Sequence, residues 1–363
     1  MLSPHLPTKL YARPFGSMPD GRVVEAYTLT GKNGLCLEVL TYGGIVNRLR
    51  VQDHAGALAD VVLGYDDFES YLKDPCFMGA TVGRIAGRVS AGKLQVEGKE
   101  YKLPINDAPN HLHGGPAALN TTLWTAEPIT REDGAPALKL SYTSPDGEQG
   151  YPGELRVSVI YTVTDANEFI YETYAESDQI TPASLTHHSY FNLSGQGTVM
   201  EHAVQIHSSH TIQSDEKMTL LHELESVEGR AADLREPRKV AQFIADIWQQ
   251  HGDLYWLGES SEMKPVARVV DPASGRILEA HTTQSCVQTY FGESYDGSII
   301  GKSGAAYPQF PGFCLECQGY PEATNVAGFG NILIYPGKPL HHRTIYAFSN
   351  QSQKSPKPQK PNS

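Results

Sequence analysis

The sequence predicts an all-β protein, a large antiparallel β-sandwich with a few short helices. Three observations carry this. Runs of alternating or continuous β-branched and aromatic residues recur along the chain, and clusters of Gly, Pro, Asn and Asp punctuate them. Strands and helices do not alternate, which disfavours a parallel α/β sheet.

Taken in order, Leu35–Leu40 is apolar and β-prone, and Tyr42-Gly43-Gly44 breaks it before Ile45-Val46. Leu94–Val96 and Tyr101–Leu103 flank Glu97-Gly98 and read as a hairpin. Leu155–Val163 alternates strongly, Asp165-Ala166-Asn167 turns the chain, and Phe169–Tyr174 follows as the next strand. Ile332–Tyr335 and Thr344–Phe348 flank Pro336-Gly337-Lys338-Pro339 and read as a second hairpin. Two helices are expected. In one, Pro237 sits in the first turn and Val240, Phe243, Ile244, Ile247 and Trp248 form a core-facing stripe. The other is a short helix within 66–74. With no internal repeat and no Pro/Gly/Ser linker, one domain is expected over residues 1–350, followed by a disordered Lys/Pro/Gln/Ser-rich tail over 351–363.

Of 363 residues, 40% are hydrophobic and 19% charged, enough for a large core. The net charge of −12 and the absence of a basic stripe argue against nucleic-acid or anionic-membrane partners. No apolar run is long enough to span a bilayer, and the start lacks a basic region followed by an apolar stretch, so a cytoplasmic protein is expected, as monomer or homodimer. The cysteines, Cys36, Cys76, Cys286, Cys314 and Cys317, are sparse and odd in number, which fits a reducing compartment. Cys314 and Cys317 form a C-x-x-C pair in a strand context, read as two ordinary thiols.

Three separated runs carry chemistry: Gly312–Glu316, Asn110–Gly115 and Thr186–Leu193. They supply a carboxylate and imidazoles, the pair that takes a proton from one oxygen while giving one to another. Read alone, Glu316 in an apolar strand is as readily a solvent-facing residue, and His188 a satisfied core histidine. His187 would point away from His188 on an extended segment, which makes it structural. His111 would share a face with His113, and His341 and His342 read as a turn. His111, His113, His188, Asp253 and Glu316 could also ligate a divalent ion.

These runs, together with Tyr42-Gly43-Gly44, Asp60–Asp66, Gly79–Arg84 and Ser144–Gly153 in the same order, resemble the aldose 1-epimerase family. The likeness extends from about residue 15 to 348. It implies a supersandwich of strands with a sugar pocket on a concave face, and no cofactor or metal. It implies Glu316 as general base and His188 as general acid, with His113, Arg88, Asp253 and Gln288 binding an aldose, galactose and also glucose. An aldose ring opens when the C1 hydroxyl loses a proton and the ring oxygen gains one, so a base and an acid suffice. Glu316 and Asp253 are expected to favour the charged form of His188. The chain departs from the family at Gly87, His187, Leu254 and Cys317. At Gly87 the family has asparagine, so a sugar contact is expected to be weakened, and Gly87→Asn to lower KM. Two other readings compete: a non-catalytic sugar-binding protein on the same fold, and a hexose-phosphate epimerase, for which only Arg84 and Arg88 offer a basic cluster.

Overall fold

A computed structural model describes residues 9–247 and 253–351. The architecture is all-β, and every pairing between named strands is antiparallel among the described residues. A nine-stranded sheet runs in the spatial order Thr125–Thr130, Pro136–Ser144, Leu155–Val163, Glu168–Ser177, Leu340–Asn350, Arg276–Thr282, Lys264–Val270, Ala203–Ile206 and Arg238–Lys239. A five-stranded meander occupies Lys9–Ser17 to Leu58–Asp60. A second five-stranded sheet has the order Leu220–Ser226, His210–Ser214, Leu254–Trp256, Cys286–Tyr290 and Cys314–Gln318.

Alternation dictates the layers. Along Leu155–Val163, Leu155, Val157, Val159 and Tyr161 are buried while Arg156 is exposed, so one face of the large sheet packs inward. There Tyr161, Phe169, Tyr171 and Tyr346 form a ring cluster with His187, whose ring lies 5.4 Å from those of Phe169 and Tyr171. Burying an apolar side chain such as Phe169 contributes about 1.5–3 kcal/mol. The Tyr346 hydroxyl donates to the Leu315 carbonyl at 3.0 Å, tying the large sheet to the strand Cys314–Gln318.

Arg84 holds a loop in place from inside. It is 2% exposed, and its guanidinium donates to the Ser144 hydroxyl and carbonyl, the Pro145, Pro152 and Gly153 carbonyls and the Thr181 hydroxyl. The Ser144–Gly153 run therefore folds around a buried cation, and Arg84 is not available to a phosphate.

Several expectations need correction. The turn at Pro336–Lys338 exists, with a bridge between Tyr335 and Lys338, but it does not join a hairpin. Leu333–Ile334 pairs with Thr181–Pro182, while Leu340–Asn350 inserts between Glu168–Ser177 and Arg276–Thr282. His341 and His342 lie in that long strand and not in a turn. The helix expected after Pro237 is fragmented. Arg238–Lys239 is an edge strand, Val240–Gln242 a 3₁₀ turn and Ile244–Ile247 a single helical turn. Its stripe still packs inward, with Val240, Phe243 and Ile244 buried; Trp248 lies outside the described residues, as does the tail from residue 352. The helix within 66–74 is present as Phe68–Tyr71, where the Asp67 carboxylate caps the Ser70 N–H at 2.8 Å. The Lys93–Val96 and Lys99–Lys102 hairpin forms as expected.

Candidate active site

The site is built on the edge strand of the second five-stranded sheet. Alternation along Cys314–Gln318 turns Cys314, Glu316 and Gln318 to one side, and Leu315 and Cys317 to the core. Three residues of extended chain separate the two thiols by roughly 10 Å, beyond disulfide reach. Both are buried, and burial pushes the Cys317 thiol up to about 12, so they are ordinary thiols. The neighbouring strand places Gln288 directly across from Glu316, and the next places Leu254 across from Gln288. Asp253 precedes Leu254 and accepts from Gln213 Nε2 at 3.4 Å.

The imidazoles arrive from two loops. His188 is pinned through its backbone, its N–H donating to the Ala80 carbonyl and its carbonyl accepting from the Gly79 N–H. His113 is held by Gly87 twice. The His113 N–H donates to the Gly87 carbonyl at 3.0 Å, and the Gly87 N–H donates to His113 Nδ1 at 3.1 Å. Arg88 follows on the short strand Arg88–Val89, paired with His111–Leu112, and its Nε donates to Asp107 at 2.6 Å. All six expected residues, Arg88, His113, His188, Asp253, Gln288 and Glu316, line one cleft of about 270 Å³. That falls just under the ~300–1,000 Å³ typical of drug-sized ligands, a scale suited to one monosaccharide. Phe77, with its ring 4.8 Å from His113, and Tyr190 complete the wall. His187 faces the core, and His111 is held by the Pro104 carbonyl and the Tyr151 hydroxyl, so neither joins the site.

His188 Nε2 lies 3.5 Å from Glu316 Oε1, and His113 Nε2 lies 4.0 Å from Glu316 Oε2. Burial pushes the Glu316 carboxyl up to about 8, against the pull of Arg88, and pushes His188 down to about 4. This differs from the expectation that neighbouring carboxylates hold His188 charged: loss of solvent dominates, and what opposes it is a backbone hydrogen bond. The pair nevertheless holds one proton between those two values, whether written as carboxylic acid and imidazole or as carboxylate and imidazolium. The profile of kcat/KM against pH is expected to be a bell. Activity falls below about pH 4 as the pair takes a second proton, and above about pH 8 as it loses the last one. Initial rates from pH 3 to 10 check this, and a monotonic rise through pH 9 would exclude a one-proton pair as the active form.

His113, His188 and Glu316 bring potential ligand atoms within 4.8 Å of one another. The Gly87 N–H decides against a metal there. It points at His113 Nδ1, so a neutral His113 carries its proton on Nε2, facing the cleft. That nitrogen is a hydrogen-bond donor, and a metal would have to reverse the tautomer against Gly87. His113 is also pushed well below the ordinary histidine range, by burial first and then by His188 and Arg88.

Three buried acceptor oxygens at the cleft have no hydrogen-bond partner among the described residues: Asp253 Oδ2, Glu316 Oε2 and Gln318 Oε1. Unpaired buried acceptors are costly, and a ligand rich in O–H donors satisfies them. Gln318, Gln213 and Phe77 were not singled out from sequence. Gln318 carried a readable signal, being two residues beyond Glu316 on the same strand face. Gln213 and Phe77 had none, since they reach the site only through tertiary packing.

The Gly87 expectation is reversed. Gly87 has φ +83°, and a Cβ there would stand 2.6 Å from Pro321 Cγ and 2.8 Å from Gln318 Nε2. Gly87→Asn is therefore expected to raise KM several-fold and to destabilise the fold by about 1–3 kcal/mol, as overpacking does. Steady-state kinetics with a urea melt test this, and a lowered KM would restore the original expectation.

A β-sandwich with a carboxylate–imidazole pair in a monosaccharide-sized cleft defines the class: a proton-transfer site for a polyhydroxylated ligand. Residues 25–347 match the family described as aldose 1-epimerase. Galactose mutarotase of Rattus norvegicus is 42% identical over 340 residues, covering 92% of this chain and 97% of its own length. Galactose mutarotase of Homo sapiens is 40% identical over 339 residues with the same coverage. Among solved structures, galactose 1-epimerase from Lactobacillus acidophilus superposes with a TM-score of 0.83 at 24% identity, covering 94% of this chain and 99% of its own, a likeness of fold. The chain belongs to the aldose 1-epimerase family.

Proposed function

We propose that this isomerase interconverts the α and β anomers of free aldohexoses, galactose and also glucose, by opening and reclosing the ring. The Glu316–His188 pair, its nitrogen and oxygen 3.5 Å apart in a cleft the size of one monosaccharide, carries the reading. The two oxygens that exchange protons sit on one carbon, so acid and base must be neighbours, as this pair is. Glu316 as carboxylate takes the proton of the C1 hydroxyl while His188 as imidazolium gives one to the ring oxygen. The bond from C1 to the ring oxygen breaks as the C1 carbonyl forms. Rotation about C1–C2 and the reverse transfers give the other anomer and return both groups to their starting state. The Nε2–H of His113 and the guanidinium of Arg88 supply donors to the sugar, and Asp253 and Gln288 bind its hydroxyls.

Polarimetry on purified protein tests this. Addition to fresh α-galactose is expected to speed the approach to equilibrium rotation, and hexose phosphates are expected to be poor substrates because Arg84 is committed elsewhere. Binding of galactose with no change in rate would make the chain a sugar-binding protein instead. We place it in the cytoplasm as a monomer or homodimer. The free cysteines fit a reducing compartment, and no helix among the described residues is long and apolar enough to cross a membrane.

A further inference from the structure

We infer that Gln318, seated in the space that Gly87 leaves open, is a substrate-positioning residue that accepts a hydrogen bond from a sugar hydroxyl remote from the anomeric carbon. The inference rests on the aldose reading above. Gln318 is 1% exposed and lines the cleft. Its amide is oriented: Nε2 donates to the Ala86 carbonyl at 3.4 Å, which leaves Oε1 as the group without a partner among the described residues. A buried amide oxygen of this kind calls for a donor; it is shielded in this structure, so a small turn of the side chain toward the cleft that it lines accompanies the contact.

Spacing says which part of the sugar it meets. Gln318 lies two residues beyond Glu316 on the same face, about 7 Å along the strand. With Glu316 at the C1 hydroxyl, a partner that far away reaches the opposite side of a pyranose ring. The contact is then equal in ground and transition states, so it acts on KM and not on kcat. Gly87 permits the arrangement, because a Cβ there would stand 2.8 Å from Gln318 Nε2. Position 87 offers no side-chain amide, and the facing strand supplies one.

The test compares wild type with Gln318→Met, which keeps the length of the side chain, on galactose and on galactoses lacking single hydroxyls other than that at C1. Gln318→Met is expected to raise KM for galactose about three- to ten-fold, the worth of one hydrogen bond, with kcat within about two-fold. One deoxy sugar should show the raised KM already with wild type, and the substitution should add nothing further. An equal rise for every sugar, a fall in kcat with KM unchanged, or no effect overturns the inference. A crystal structure of wild type with galactose gives a check that needs no variant. Oε1 within about 3.2 Å of a ring hydroxyl supports the role, and Oε1 bonded only to protein overturns it. Wild type that mutarotates none of these sugars overturns the aldose reading, and this inference with it; an active wild type isolates the fate of Gln318.

Discussion

Glu316→Gln and His188→Gln are each expected to lower kcat by at least about 10²-fold, within the ~10²–10⁴ range of a positioned acid or base. Glutamine keeps the volume of Glu316 and removes the proton acceptor. In His188→Gln it keeps a hydrogen-bonding tip and removes the proton donor. Both side chains are buried, Glu316 2% and His188 5% exposed, yet neither substitution should unfold the protein. Burial disfavours the charged form of each, so a neutral replacement relieves that cost. The two groups handle one coupled transfer, so the double variant should lose much less than the product of the single losses. Stopped polarimetry on folded variants measures this. Activity within a few-fold of wild type in either one would remove that residue from the proton transfer.

Arg84→Met is expected to destabilise the protein by at least about 3 kcal/mol, because each buried carbonyl left without a donor costs about 1–3 kcal/mol. The guanidinium serves four carbonyls and two hydroxyls from Ser144 to Thr181. Burial lowers the pKa of Arg84, and Glu148 opposes that shift. Lysine should not rescue the site, since one ammonium cannot span a planar fork. Arg84 does not line the cleft, so the folded fraction should keep the wild-type KM. Urea unfolding followed by tryptophan fluorescence reads the loss, and an unchanged midpoint would mean that the loop holds without its cation.

Legibility tracked how local each cause is. Leu155–Val163 was readable because alternation alone records which face is buried. The Pro336–Lys338 turn was equally local, but strand partners are chosen by burial across the whole fold. The flanking segments therefore went to Thr181–Pro182 and to the centre of the nine-stranded sheet. After Pro237 the apolar spacing was correct as a record of burial and misleading as a record of helix. A core-facing stripe is satisfied there by a short edge strand, a 3₁₀ turn and one helical turn. At the cleft, motifs marked the residues that they contain, and the proton balance was invisible. It depends on desolvation, which turned the expected imidazolium into a pair sharing one proton.

The contact from the Gly87 N–H to His113 Nδ1 has a consequence for how this position can vary. The donor that sets the imidazole's polarity belongs to the peptide backbone, which every residue type but proline carries. Side chains at 87 are constrained by the positive φ and by shape, through Pro321 and Gln318, while the chemical instruction to His113 is independent of which one stands there. Substitutions at this position should thus retune sugar selectivity without altering which way the second histidine presents its proton, and proline should be the one replacement that releases it.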